Sequence, residues 1–198
     1  MIDWVTISAL GTAVATLALA SATFSSVRAA NRPVLTSSRI YDPEDKIRFF
    51  EGLWVKVKGS HGYASVTKDT IYFVMSLRNA GHGLAVIDRW SVFVGDITHD
   101  GEHLGEIDGY RRTTRDLYIE AGENGLWQGA IRDPKDPDFA KIAETIKKRG
   151  LIRLDVMYAD QEGGQRTVTR FALSPARKKN DWLVSTARHW RLDGNNPR

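Results

Sequence analysis

The densest group of residues able to do chemistry is His99-Asp100-Gly101-Glu102-His103, two imidazoles and two carboxylates within five positions. Such groups bind a divalent metal when they converge on one point. Asp-Gly is also a two-residue hairpin signal, and a turn there pairs His99 with Glu102 and Thr98 with His103. The two imidazoles then point to opposite faces. The expectation is an exposed hairpin tip joining Val92–Thr98 to Glu102–Ile107, with no metal. Asp42, Glu44, Asp45, Asp133, Asp136 and Asp138 lie beside prolines, where carboxylates serve as caps. No serine sits in a nucleophile elbow, and neither a P-loop nor H-E-x-x-H occurs. The chain has no cysteine, which removes disulfides, thiolate metal sites and a thiol nucleophile. No catalytic residue, metal site or cofactor is therefore expected.

Basic side chains gather at Arg111-Arg112 with Arg115, at Lys147-Lys148-Arg149 and at Arg177-Lys178-Lys179. Clusters of this kind face anionic lipid or nucleic acid, or are solvated loops and helix ends. Which anion lies nearest depends on where the chain sits, and the first thirty residues bear on that.

Asp3 is the only ionisable side chain before Arg28, so Trp4 to Val27 is an uncharged run of 24 residues. As a helix it spans about 36 Å, enough for a hydrocarbon core of about 30 Å. Leu10, Val14, Leu17 and Phe24 supply apolar bulk, and Trp4 stands where an interfacial anchor belongs. A cleaved secretory signal competes with this reading, through the small-x-small triplets Ala18-Leu19-Ala20 and Ala20-Ser21-Ala22. Against it, Met1-Ile2-Asp3 carries no basic residue and the run is long. A soluble amphipathic helix would need a charged face, which is missing. A retained single-pass anchor fits best. Arg28, Arg32 and Arg39 follow the run and nothing basic precedes it, which places the body in the cytoplasm at the inner membrane, with these arginines against anionic lipid. Phospholipid then becomes the nearest anion, and nucleic acid an unfavoured partner. Ser8, Gly11, Thr12, Ala15 and Thr16 form a small, hydroxyl-rich stripe through which such helices self-associate.

With Asp3 set aside, the rest of the chain carries 28 basic against 23 acidic side chains. Asn31-Arg32-Pro33 ends the helix, because proline lacks an amide donor and pushes its predecessor towards extended geometry. Short apolar or alternating runs follow at Val34–Ile40, Leu53–Lys58, Thr70–Arg78, Leu84–Val94, Leu117–Glu120, Gly125–Ile131, Leu151–Tyr158, Arg166–Leu173 and Trp182–His189. Many short strands at this spacing predict an antiparallel β-sandwich over 31–198, behind an anchor helix over 1–30. Asp160 to Gln165, with Gly163-Gly164 at φ > 0, should join two of them in a hairpin. One short helix is expected after Asp138, burying Phe139, Ile142, Ala143 and Ile146 and ending at Gly150. Trp54, Trp90 and Trp127 read as core, and Trp182 and Trp190 as pins for the last strand.

The order of an N-terminal anchor, then Arg32-Pro33-Val34-Leu35, then Leu77-Arg78-Asn79-Ala80-Gly81-His82-Gly83-Leu84-Ala85, resembles a group of uncharacterised bacterial single-pass membrane proteins. Those carry an immunoglobulin-like or related sandwich and an L-x-N-x-G-x-G-x-A signature. The resemblance implies a fold and a topology, and no catalytic residues. By itself the motif reads as a sharp turn, since Asn79, Gly81 and Gly83 tolerate left-handed backbone, or as a place where a ligand approaches the glycine backbone.

The expectation that follows is a non-enzymatic, membrane-anchored interaction module with membrane lipid and an unidentified protein as partners. The alternative from another class is a ligand-sensing, membrane-perturbing effector of toxin or defence type, oligomerising through the helix. Cleavage after Ala22 would make the body a secreted adhesion-type domain.

Overall fold

The computed structural model describes residues 3–94 and 103–194. The protein is mainly β, with an apolar N-terminal helix. Helix α1 runs Trp4–Ala30, capped by Asp3, whose carboxylate accepts from the Val5 amide, and closed at Asn31 as the Asn-Arg-Pro sequence requires. It buries no residue, and its apolar side chains, from Trp4 at 82% exposure to Phe24 at 66%, have no cover.

Eleven strands follow: β1 (Leu35–Ser37), β2 (Asp45–Arg48), β3 (Trp54–Val57), β4 (His61–Val66), β5 (Ile71–Asn79), β6 (Ala85–Val94), β7 (Arg111–Ile119), β8 (Asn124–Ile131), β9 (Ile152–Ala159), β10 (Thr167–Pro175) and β11 (Asp181–Arg191), with α2 at Phe139–Lys148. Nine strands make one antiparallel sheet. β5 carries β8 on one edge and β4 and β1 on the other; β4 leads on through β11, β10, β9 and β6 to β7. Because β4 and β11 share only Asp181–Leu183 against His61–Tyr63, the sheet folds over there, and its two halves face each other as a sandwich.

Alternation decides what lies between the halves. On β5, Ile71, Phe73, Met75 and Leu77 point inward and meet Ile87, Trp90, Leu154, Val156, Phe171 and Trp182. The intervening Tyr72 and Val74 are also buried, because the β2–β3 hairpin lies across the outside of β5 and covers them with Phe49, Val55 and Val57. On the opposite half, Met157, Val168 and Trp190 are roofed by Tyr110, Leu104 and Ile107. Under this roof sits a buried ion pair: Arg170 donates to both Asp155 oxygens at 2.7 and 2.8 Å, and the Tyr110 hydroxyl donates to Asp155 at 2.8 Å. Burial and the Asp155 charge push the Tyr110 hydroxyl far above the usual phenol range. Arg170 stacks 4.7 Å from the Trp190 ring.

Helix α2 buries Phe139, Ile142, Ala143 and Ile146 into the main core and closes the end of the sandwich remote from α1. Asp138 precedes it, but its carboxylate bonds Arg111 rather than an amide, and the left-handed residue at its end is Arg149, ahead of Gly150.

The β9–β10 hairpin forms as expected, with Gly163 at φ +78° and Gln165, not Gly164, as the second left-handed residue. Three expectations change. Trp54 is 58% exposed, because the buried phase of β3 belongs to Val55 and Val57. The next strand to pair with β6 is β7, whose Arg-rich first half precedes the anticipated Leu117 start; residues 103–106 hold no strand and Ile107–Gly109 is a 3-10 turn. The Asp100-Gly101 turn and His99 lie outside the described residues. Gly81 and Gly83 do not adopt left-handed backbone, and neither does Asn79.

Candidate functional site

Strand directions put five segments at the end of the sandwich next to α1: the post-helix segment 31–34, the β5–β6 turn, the β7–β8 turn, the β9–β10 turn and the last residues of β11. What holds them together is Asn79, fully buried. Its Oδ1 accepts from the Val34 amide at 3.1 Å and the Gly81 amide at 3.0 Å. Its Nδ2 donates to the carbonyls of Gly83 at 2.7 Å and Ile119 at 3.0 Å. All four capacities of one amide side chain are thereby used, joining the post-helix segment, the β5–β6 turn and β7.

The glycines of the motif serve the same contact. A Cβ on Gly81 would fall on the Arg32 carbonyl oxygen and 2.6 Å from the Val34 nitrogen; one on Gly83 would collide with the Asn31 carbonyl. Backbone bonds run alongside, Ala80 N to Val34 O at 2.8 Å and His82 N to Arg32 O at 3.2 Å. Close backbone approach is therefore why glycine stands at 81 and 83, and what approaches is the chain's own exit from the helix. Leu35 continues the attachment, its amide donating to the buried Tyr158 hydroxyl at 3.0 Å.

The last helical turn is tied down from the other side. Gln165 Nε2 donates to the Arg28 carbonyl at 2.6 Å, and Arg32 Nε donates to Gln165 Oε1 at 2.9 Å. Two cavities flank this turn. One, of about 350 Å³, is lined by Phe24, Arg28, Arg32, Arg166, Arg191 and Asp193, among others. The other, of about 290 Å³, includes His82, Asp160 and Glu162. Among the described residues the first is lined by four arginines and Asp193, and the second by Asp160 and Glu162 with Arg28, which borders both. Asp193 is engaged by Arg166 through both oxygens, at 2.6 and 3.0 Å to Oδ1 and 2.8 Å from the Arg166 amide to Oδ2. Burial, then the charge of Arg191, holds the Arg32 guanidinium below its ordinary range.

Of the residues read from sequence as facing anionic lipid, Arg28 and Arg32 meet in this cavity. Arg39 lies beyond β1, its amide donating to Asp42 in a turn, and does not line it. Trp4, Leu10, Val14, Leu17 and Phe24 are exposed around α1. Ser8, Thr12 and Thr16 each donate to a carbonyl of their own helix, so closest approach along that stripe falls to Gly11 and Ala15; nothing lies within 4 Å of a Cβ on Gly11.

Lys147–Arg149 and Arg177–Lys179 come together at the far end, where Arg149 donates to the carbonyls of Ala176, Lys178 and Lys179. Nine residues of β10 separate them from the helix junction, about 30 Å. Arg111 is held by Asp136 and Asp138 and stacks 5.6 Å from Trp90. Asp133 and Asp42 cap backbone amides, as the proline-flanked acids should. Among the described residues no three of His, Asp or Glu converge as metal ligands.

Arg166 and Arg191 were not singled out by sequence. They meet only because Thr167 pairs with Arg191 across β10 and β11, and no local pattern carries that pairing. No protein-family model matches the chain, and no curated protein matches it.

Proposed function

We propose that the chain is a non-enzymatic interaction module held at the inner membrane by one span, with its β-sandwich on the cytoplasmic side. The observation that carries this reading is α1: 27 residues, free of charge from Trp4 to Val27 and apolar enough to cross a membrane, with none buried by the body. An apolar helix with no protein to cover it is stable only where lipid covers it. Arg28 and Arg32 after the span, against Asp3 before it, favour a cytoplasmic body. The resemblance to uncharacterised bacterial single-pass proteins points the same way.

The test uses the full chain in its native cells. Its intact mass should be that of all 198 residues, 22.2 kDa, and it should stay in the membrane pellet through alkaline carbonate extraction. Because the protein has no cysteine, Ser174→Cys at an exposed strand end is a clean reporter. It should react with a membrane-impermeant thiol reagent only after permeabilisation. Release by carbonate, or a mass reduced by cleavage after Ala22, would end the anchored reading; labelling of intact cells would reverse the orientation.

A further inference from the structure

We propose that the arginine-lined cavity beside the last turn of α1 is a phosphate site, filled by the phosphodiester headgroup of an anionic lipid in the leaflet where α1 emerges. This deepens, and rests on, the anchored reading. Four guanidinium groups reach the cavity from three separate places: Arg28 on the helix, Arg32 on the post-helix segment, and Arg166 and Arg191 at facing ends of β10 and β11. Like charges gathered in a partly buried space repel one another, and the Arg32–Arg191 effect described above is that cost. An anion with several acceptor oxygens removes the repulsion and accepts charge-assisted hydrogen bonds, for which guanidinium geometry is suited. Among the described residues that line the cavity, Asp193 is the one carboxylate, and it is bound to Arg166.

Placement selects lipid over a soluble phosphate. Arg28 lies in the last turn of a helix long enough to span, at the depth where headgroups sit. The wall runs from Phe24, one turn earlier on the helix, to Arg28 and the arginines of the body, so it changes from apolar to basic in the direction in which a lipid changes from acyl chain to phosphate. A volume of about 350 Å³ is adequate for a headgroup. The other flank of the same turn carries Asp160 and Glu162, with Arg28 bordering both flanks, so Arg32, Arg166 and Arg191 are what set this cavity apart.

The full chain in neutral detergent micelles is titrated with short-chain phosphatidylglycerol, short-chain phosphatidylcholine or inorganic phosphate, and melting is followed by tryptophan fluorescence. At a hundredfold excess over Kd, phosphatidylglycerol should raise Tm by about 5–10 °C. Arg28→Gln/Arg191→Gln should weaken the response at least tenfold, and so should Arg191→Gln alone, an exposed position whose loss leaves the Asn79 and Gln165 bonds intact. Arg177→Gln/Lys178→Gln, equal in charge but at the far end, should respond as wild type. An undiminished response in both cavity variants would overturn the site. Stabilisation by phosphate without any by phosphatidylglycerol would overturn the lipid source; equal stabilisation by phosphatidylcholine would overturn anion recognition; no stabilisation by any probe would overturn the proposal whole. Failure of anchoring shows separately, as carbonate release, because micelles read the cavity without a bilayer.

Discussion

Asn79, Gly81 and Gly83 show how much one short stretch of sequence can decide. The motif was legible, but its reason was not: glycine suggests left-handed backbone, and only the fold reveals that segment 31–34 lies against it. Adding one methyl group therefore meets backbone, which cannot rotate aside as a side chain can. Gly83→Ala should destabilise the body by about 2–4 kcal/mol, whereas Gly109→Ala, with open space around its Cβ and ordinary φ, should change stability by less than about 0.5 kcal/mol. Chemical denaturation of both variants checks this; equal midpoints would show that the close approach carries no weight. A second residue-scale effect depends on pH. His189 Nδ1 lies 2.8 Å from Thr169 Oγ1, and burial holds the imidazole below the ordinary histidine range. As pH falls, the unfolded chain binds this proton first, so folded stability drops from about pH 6.5 downward until the folded form protonates too. Above that range the shift has no effect. Tm should be lower at pH 5 than at pH 7, and His189→Gln should reduce the difference; an unchanged difference would place the pH dependence elsewhere.

Strands show a different limit. Those with apolar β-branched or aromatic alternation, such as β5, β9 and β11, announce themselves because their burial is written in their own residues. β4, built from His61-Gly62-Tyr63-Ala64-Ser65-Val66, and the charged β2 do not, since what buries or pairs them comes from elsewhere. Glycine at 62 is required there because a Cβ would meet Val184 Cγ2 and the Val74 carbonyl at 2.9 Å. The tryptophans separate the two situations. Trp182 is fully buried on β11, a strand lying between β4 and β10, while Trp54 stands on the outer face of the β2–β3 hairpin with Lys46 and Arg48 over its ring at 5.6 and 5.8 Å. Trp182→Ala should cost about 3–5 kcal/mol through the void it leaves. Trp54→Ala should cost no more than about 1 kcal/mol, the worth of exposed cation–π contacts. Urea titration of both decides it; comparable losses would mean that the hairpin, not the fold-over of the main sheet, limits stability.

At the scale of the whole molecule, helix and sandwich are bound by a short attachment and not by a shared core. Helix α1 buries nothing against the body, yet residues 31–34, immediately after it, are clamped by Asn79 and by the β5–β6 turn. The helix ends at Ala30, and Asn31 begins the segment held against the sandwich. Three lengths of chain test that division. The full chain should need surfactant, because its exposed apolar helix has no cover in water. A chain of residues 31–198 should be a soluble monomer with a single cooperative transition, since it loses the apolar helix and the Gln165 bond to the Arg28 carbonyl but keeps the bonds between segment 31–34 and the β5–β6 turn. A chain of residues 35–198 lacks the backbone that occupies the glycine surface, leaving the buried Asn79 Oδ1 without its Val34 donor. The Ala80–Val34, His82–Arg32 and Arg32–Gln165 bonds go with it; one lost buried bond alone costs about 1–3 kcal/mol, or several degrees in Tm for a body of this size. Calorimetry of the two shorter chains should show that drop. Identical melting of the two, or a full chain that stays monomeric without detergent, would dissolve the distinction between an anchor and the body that grips its exit.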